Sequence, residues 1–354
     1  METLEQLTGR VRRGAALDTA SAASAARQLA DEGVEAAGKA DFLRALAAKG
    51  ETAVEVAAFA STFRELAVDP GVEAWADRAV DVCGTGGDGF GTFNISTAVS
   101  FIVAADGVPV FKHGNRSITS KCGSADLLEA LGFELQAPPE RIREGLERLN
   151  FCFFFAPAFH PAFKAIMPVR KALAAEGRRT VFNLLGPLIN PGRPAQQLLG
   201  VFSPDWVEPL ADALGSLGLK AGLVVHGQPE PGAALDELSC AGSNLHAGFG
   251  RLAAHRGRLA PADCGLPTCA PSELKGGDVA ANLRLLEALF DPACDDVPKG
   301  LVDSVRLNAG AALWSAGAAE DLASGIARGG ELLDSGAARE WLGRARDFHR
   351  KFKT

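Results

Sequence analysis

The chain has 354 residues, 47% hydrophobic and 22% charged, the balance of a globular protein with one large or two ordinary domains. Its net charge of −7 excludes a whole-chain basic footprint for nucleic acid, and no apolar run is long enough to span a bilayer. The start, Met1-Glu2-Thr3-Leu4, lacks the basic and apolar regions of a secretory signal, and seven scattered cysteines without zinc-site spacing read as thiols of a cytoplasmic protein.

Residues 1 to about 68 read as all helix. Asp18 and Thr19 cap a run through Leu29, Asp41 opens Phe42-Leu43 and Leu46, and Glu51 to Leu66 sets Val56, Phe59, Phe63 and Leu66 at helical spacing. Asp69-Pro70-Gly71 then punctuates the chain. A buried strand is predicted at Ala79–Cys83, followed by a glycine-rich loop and a helix over Ile95–Ala105. A second strand at Val108–Phe111 leads to a polar loop and a helix from Ser124 to Leu131. This alternation is the signature of a parallel sheet. Further strands are expected at Gln197–Phe202 and Ala221–Val225, with a helix start at Ser203-Pro204-Asp205 between them and helix from Leu307 to Phe352.

The first loop is Gly84-Thr85-Gly86-Gly87-Asp88-Gly89. Glycines let a backbone approach an anion closely, and their N–H groups can cradle it. Thr92, Asn94, Ser96 and Thr97 lie at the start of the next helix, where hydroxyls and the helix N-terminus suit a pyrophosphate. Asp88 is acidic, so it is expected to meet ribose hydroxyls, backbone or a metal. A tight strand-to-helix turn alone would also use such glycines. Lys112 stands where a dinucleotide fold would place an acidic residue, which favours phosphate over NAD.

The second loop, Lys112-His113-Gly114-Asn115-Arg116-Ser117-Ile118-Thr119-Ser120, precedes Gly123-Ser124-Ala125-Asp126. Lysine supplies a point charge for phosphate, and the Ser and Thr hydroxyls donate to its oxygens. Two such loops at neighbouring strand ends form one crevice with two anion sites.

The run from Asp81 through Gly132 carries GTGGDG, TFNIST, KHGNR and GSADLLEALG, and in order and spacing it resembles the anthranilate phosphoribosyltransferase family. The likeness extends to Phe182–Leu188 and Leu307–Leu313. It implies a phosphoribosyl pyrophosphate site at Gly84, Gly87, Asp88, Thr92, Asn94, Ile95, Ser96, Thr97, Lys112 and His113. That site continues through Gly114, Asn115, Arg116, Ser117, Ile118, Thr119, Ser120 and Ser124. It implies an anthranilate site in which Arg170 meets the carboxylate, with Gly84, Asn115, His113 and His160 around it; the alternative for Arg170 is a surface salt bridge. Asp236 and Glu237, with Ser96, match the family's Mg²⁺ ligands. Thr119 and Cys122 replace usual serines. Ala241-Gly242-Ser243-Asn244 departs from the usual segment after the acidic pair, and Phe163 and Ala165 stand where Met and His are usual.

The resemblance implies transfer of the 5-phosphoribosyl group to anthranilate with release of pyrophosphate, a step of tryptophan biosynthesis, by electrostatics rather than a dedicated acid or base, with Lys112 as the electrostatic group. Alternatives are another aromatic amine as acceptor, a pyrimidine-nucleoside phosphorylase-like activity, and a non-catalytic relative that binds nucleic acid; Arg170 and the acidic charge argue against the last. The implied fold is α/β: a small helical domain (1–70, with a second contribution from about 155–185) and a larger α/β domain (71–154 and 186–354) with a mainly parallel sheet. Hinge closure and a homodimer are expected on the same grounds.

Overall fold

The computed structural model describes residues 2–117 and 121–350. Four helices come first: α1 Leu4–Arg12, α2 Thr19–Ala30, α3 Ala36–Lys49 and α4 Ala53–Glu65. Asp18 caps α2 through the Ser21 N–H, and Thr52 with Glu55 forms a capping box on α4. Asp41 does not open α3. The alanines ahead of it propagate the helix from Ala36, and Asp41 pairs instead with Arg12 on the exposed side.

The remainder alternates. After α5 Glu73–Ala76 come β1 Val80–Gly84, α6 Ile95–Ala105, β2 Val110–Gly114, α7 Ser124–Ala130, α8 Pro139–Leu149 and β3 Phe151–Phe155. Then follow α9 Ala156–Phe159, α10 Phe163–Ala175, α11 Phe182–Leu188, β4 Gln196–Gly200, α12 Val207–Ser216 and β5 Ala221–Gln228. An antiparallel hairpin, β6 Ser243–Gly250 and β7 Arg256–Leu259, precedes α13 Val279–Leu289, α14 Lys299–Ala316, α15 Leu322–Asp334 and α16 Ala337–Arg350. The sheet order is β3-β2-β1-β4-β5-β6-β7, parallel from β3 to β5 and antiparallel beyond.

One apolar cluster packs α6, α14 and α16 on one face of the sheet. Another joins α1–α4, α10, α11 and α12 to the opposite face through Leu199, Val201, Val224 and Phe249. Phe63 of α4 meets Phe163 and Phe182 at 5.0 and 5.5 Å between ring centroids, so the 156–188 segment returns to the helical bundle.

The predicted second strand ends too early. β2 runs on through Lys112, His113 and Gly114, in register with Phe153, Phe154 and Phe155 of β3. Both side chains are therefore buried strand residues rather than loop residues.

Candidate active site

β1, β2 and β4 end together at Gly84, Gly114 and Gly200, and the chemistry gathers at these carboxyl ends. A Cβ on Gly84 would overlap the Asp236 carboxylate, and one on Gly200 would collide with the Asp236 carbonyl. These two glycines admit the segment that carries the acidic pair. The Gly86 N–H donates to Asp236 Oδ2 at 2.6 Å, and the Ser96 N–H donates to Glu237 Oε1 at 3.2 Å. Glu237 thus sits on the first turn of α6, where the helix dipole favours an anion. Asp88 accepts from the Phe90 N–H at 3.2 Å, and its charge reaches Asp236.

The acids are short of positive charge. Burial, then the charge of Asp88, raises Asp236 to about 7, and burial, then Asp236, raises Glu237 well above the usual carboxylate range. Glu237 Oε2 is buried without a hydrogen-bond partner. An adjacent pair of buried hard oxygens with an orphaned lone pair fits a divalent cation such as Mg²⁺. No group of three or more metal-ligating side chains converges among the described residues, so the rest of the coordination would come from ligand oxygens and water.

Beneath the acids lies Lys112, which donates from Nζ to the Val82 carbonyl at 2.9 Å and reaches Ser96 Oγ at 3.5 Å. Burial lowers its pKa, and Asp81 opposes that shift. Asp81 is itself raised to about 6 by burial, against the Asn190 amide that donates to it at 2.9 Å. The result is a buried cation held under the loop by strand geometry.

The residues expected at the acceptor are set among aromatic rings. The Arg170 guanidinium lies 5.5 Å from the Phe163 ring and 5.2 Å from that of Phe182, within cation–π range of both. It makes no salt bridge among the described residues; its one bond is a long donation to the Phe182 carbonyl at 3.5 Å. Burial lowers its pKa. His160 stacks edge-on near Phe163 and meets His113, Nε2 to Nε2, at 3.2 Å. His113 Nδ1 lies 3.1 Å from the Gly186 carbonyl, so Nδ1 carries the proton and His160 donates to His113 Nε2. Burial holds both imidazoles neutral, at about 3 for His113, where His160 adds to the effect, and about 4 for His160.

Known proteins match this arrangement. Residues 5–67 match the helical bundle domain, and 76–339 the a/b domain, of a glycosyl transferase family. Anthranilate phosphoribosyltransferase of Sphingopyxis alaskensis is 45% identical over 93% of this chain and 95% of its own length. The chain belongs to the anthranilate phosphoribosyltransferase family. The Thermus thermophilus family structure is 42% identical, superposes with a TM-score of 0.88, and covers 97% of this chain and 99% of its own. The Saccharomyces cerevisiae family enzyme, solved in complex with phosphoribosyl pyrophosphate and Mg, has a TM-score of 0.82 at 24% identity, covering 99% of this chain and 98% of its own. At that identity the likeness bears on the fold alone.

Within this family member, Gly84, Gly87, Asp88, Thr92, Ser96, Lys112, Asp236 and Glu237 belong to the segments gathered at the strand ends. Gly114, Asn115 and Ser124 adjoin them: Ser124 Oγ donates to the Asn115 carbonyl at 3.4 Å. The other expected donor residues are engaged within the protein itself. Ile95 is core, and Thr97 is fully buried with Oγ1 unpartnered, so both side chains support α6 rather than line the cleft. Asn94 is held by the Cys122 carbonyl and Asn282. Arg116 is drawn to Glu129 and Asp126 on α7. Ser117 donates its N–H to Asp126, and Ile118, Thr119 and Ser120 lie outside the described residues.

Arg179 was missed. Its guanidinium stacks 3.9 Å from the Phe202 ring centroid and donates to the Gly87 carbonyl at 2.8 Å, tying the glycine-rich loop to the segment before α11. The pair Arg178-Arg179 directly ahead of Thr180-Val181-Phe182-Asn183 was the available signal.

Proposed function

We infer that the chain transfers the 5-phosphoribosyl group from phosphoribosyl pyrophosphate to the amine of anthranilate, giving N-(5-phosphoribosyl)anthranilate and pyrophosphate in tryptophan biosynthesis. The observation that carries this reading is the Arg170 guanidinium, flanked by two rings and paired with no carboxylate among the described residues, in a chain that also gathers a buried lysine and an acidic pair at its strand ends. An aromatic carboxylate offers a flat face to Phe163 and Phe182 and two oxygens to the guanidinium fork.

The donor's pyrophosphate lies against the N–H groups of the loop from Gly84 to Gly89 and Lys112, with Gly114, Asn115 and Ser124 at its other end. Asp236, Glu237 and Ser96 would hold Mg²⁺, which neutralises pyrophosphate charge when bound. The C1′–O bond to pyrophosphate breaks as the nitrogen–C1′ bond forms, and Lys112 stabilises the charge gathering on the leaving group. An arylamine is neutral at pH 7, so no base is needed before attack; once nitrogen has become cationic its proton passes to water. Arg170 and Asn115 orient the ring for in-line approach. Neutral His113 and His160 place no positive charge beside the developing oxocarbenium ion.

The helical domain comprises residues 1–70 with 155–185, and the α/β domain comprises the rest; the Phe63, Phe163 and Phe182 contacts support that division. Exposed Val54, Leu66 and Val68 on the bundle support a homodimer there. All seven cysteines are free thiols, and no described helix is long and apolar enough to cross a membrane, which supports a cytoplasmic site of action.

The test is loss of anthranilate fluorescence with purified protein, phosphoribosyl pyrophosphate and Mg²⁺. Arg170→Ala should raise KM for anthranilate by about 10- to 100-fold and leave KM for the donor within about twofold. A folded, donor-binding protein that leaves anthranilate untouched would refute the acceptor assignment and favour another aromatic amine.

A further inference from the structure

A cavity of about 350 Å³ lies at the opposite end of the sheet from the candidate active site. Its wall combines α4 with the residues that lead into β4 and β5, and with Asp77 just ahead of β1. Strands of five residues separate it from the strand ends described above, roughly 15 Å along β1. Its charged lining is Arg64, Glu65, Asp77, Arg193 and Lys220.

Both acids are already engaged. Glu65 pairs with Arg27 at 2.9 Å, and Asp77 pairs with Lys220. The two arginines are not matched. Arg64 is only 9% exposed, and its Nε donates to the Leu188 carbonyl at 2.6 Å. Arg193 donates from Nη2 to the Arg64 carbonyl at 3.3 Å. Neither guanidinium meets a carboxylate among the described residues. Burial, then the neighbouring Arg193, brings Arg64 down to about 10, with the buried Asp81 opposing the shift without touching the guanidinium.

Two adjacent guanidiniums, one of them desolvated, are a costly arrangement unless an anion joins them. Arg193 also holds φ at +51°, a left-handed conformation that a non-glycine residue adopts at some cost. The other such residue, Asn150, is explained as the cap that ends α8. Arg193 ends no helix; its N–H donates to the Asn190 carbonyl at 3.1 Å, closing a turn that sets it at the cavity wall.

We infer that this cavity is a binding site for a small oxyanion, a carboxylate or a phosphate, held by Arg64 and Arg193. Guanidinium forks suit either group, because each presents two oxygens in a plane. The ligand would bridge α4 of the helical bundle and the approach to β4. The inference does not depend on the transfer reaction, and its test needs no turnover.

Inorganic phosphate and citrate are the probes, followed by thermal melting and titration calorimetry on the full chain. Wild type is compared with Arg193→Ala, Arg64→Gln and Lys112→Met. Arg193 is exposed, so its alanine variant should fold, checked by circular dichroism. At saturation one probe should raise Tm by about 3–6 °C in wild type and in Lys112→Met. The rise should vanish in Arg193→Ala, and the probe that works tells phosphate from carboxylate. A rise that survives Arg193→Ala overturns the inference. So does a rise lost in Lys112→Met, which would place the anion in the donor cleft, or the absence of any rise in wild type.

Discussion

The proposed donor and acceptor halves of the cleft are built differently. The donor half proposed above is made from Gly84–Ser96 and from Lys112–Asn115 with Ser124, joined by one short insertion of Asp236-Glu237. On that proposal it works largely through backbone N–H groups and one buried lysine. The acceptor half draws Arg170 and Phe163 from α10, Phe182 from α11, His160 from the turn before α10 and His113 from β2. Recognition by backbone requires consecutive residues, because successive N–H groups must point at one ligand. Recognition of a ring by packed side chains requires only that separate elements converge.

The donor half should be the less forgiving. Lys112→Met keeps the stem and removes the charge, so kcat/KM should fall by about 10³-fold with anthranilate KM little changed. Steady-state kinetics with both substrates varied would decide it, and a loss confined to the anthranilate response would blur the division between halves. Glu237→Gln comes next. Activity should fall about 10²-fold at fixed Mg²⁺. Metal-free Tm should nonetheless rise, because a buried carboxylate with an unpartnered oxygen becomes a neutral amide that still accepts from the Ser96 N–H. A fall in metal-free Tm would argue that Glu237 is an ordinary structural partner and not a site kept for a cation.

On the acceptor side the expected effects are smaller. Burial depresses His160 to about 4, below its ordinary 6.5. The unfolded chain therefore binds a proton more readily, and the stability from a neutral His160 is present above pH 6.5 and lost as pH falls towards 4. His160→Gln should lessen the stability lost between pH 6.5 and 4.5 by roughly 2 kcal/mol, read from urea melts at each pH. An unchanged pH slope would mean that His160 is as accessible to protons folded as unfolded. Arg179→Ala gives the smallest change: KM for the donor should rise by about 3- to 10-fold, since one charge-assisted bond to the glycine loop is lost. If KM for anthranilate moves instead, Arg179 belongs to the acceptor half.

The same difference explains what the sequence made legible. α6 was expected over Ile95–Ala105 and lies there, because its apolar run begins directly after the loop polar residues. The donor motifs were readable because they are contiguous. β3 was not expected: Phe151-Cys152-Phe153-Phe154-Phe155 has no alternation, and a strand buried on both faces shows no period. Lys112 and His113 were read as loop because a charged and a polar residue argue against a buried strand; Val82 and Asp81 for the lysine, and Gly186 and His160 for the histidine, make that burial tolerable. Arg179 was missed because its partners, Gly87 and Phe202, lie far off in sequence. The altered segment around Ala241 raised the question of whether the acidic pair would reach the loop; its contacts with Gly86 and Ser96 answer it.

Gly84 and Gly200 carry a consequence for mutational selection. The acidic segment is inlaid over two neighbouring strands at the places where they lack side chains, and even a methyl group there would displace Asp236. In a saturation library selected for growth without tryptophan, position 200 should return glycine codons almost alone, as strictly as the acids themselves, although Gly200 is placed in no ligand site. Its intolerance would record the thickness of a single carbon atom between two layers of backbone.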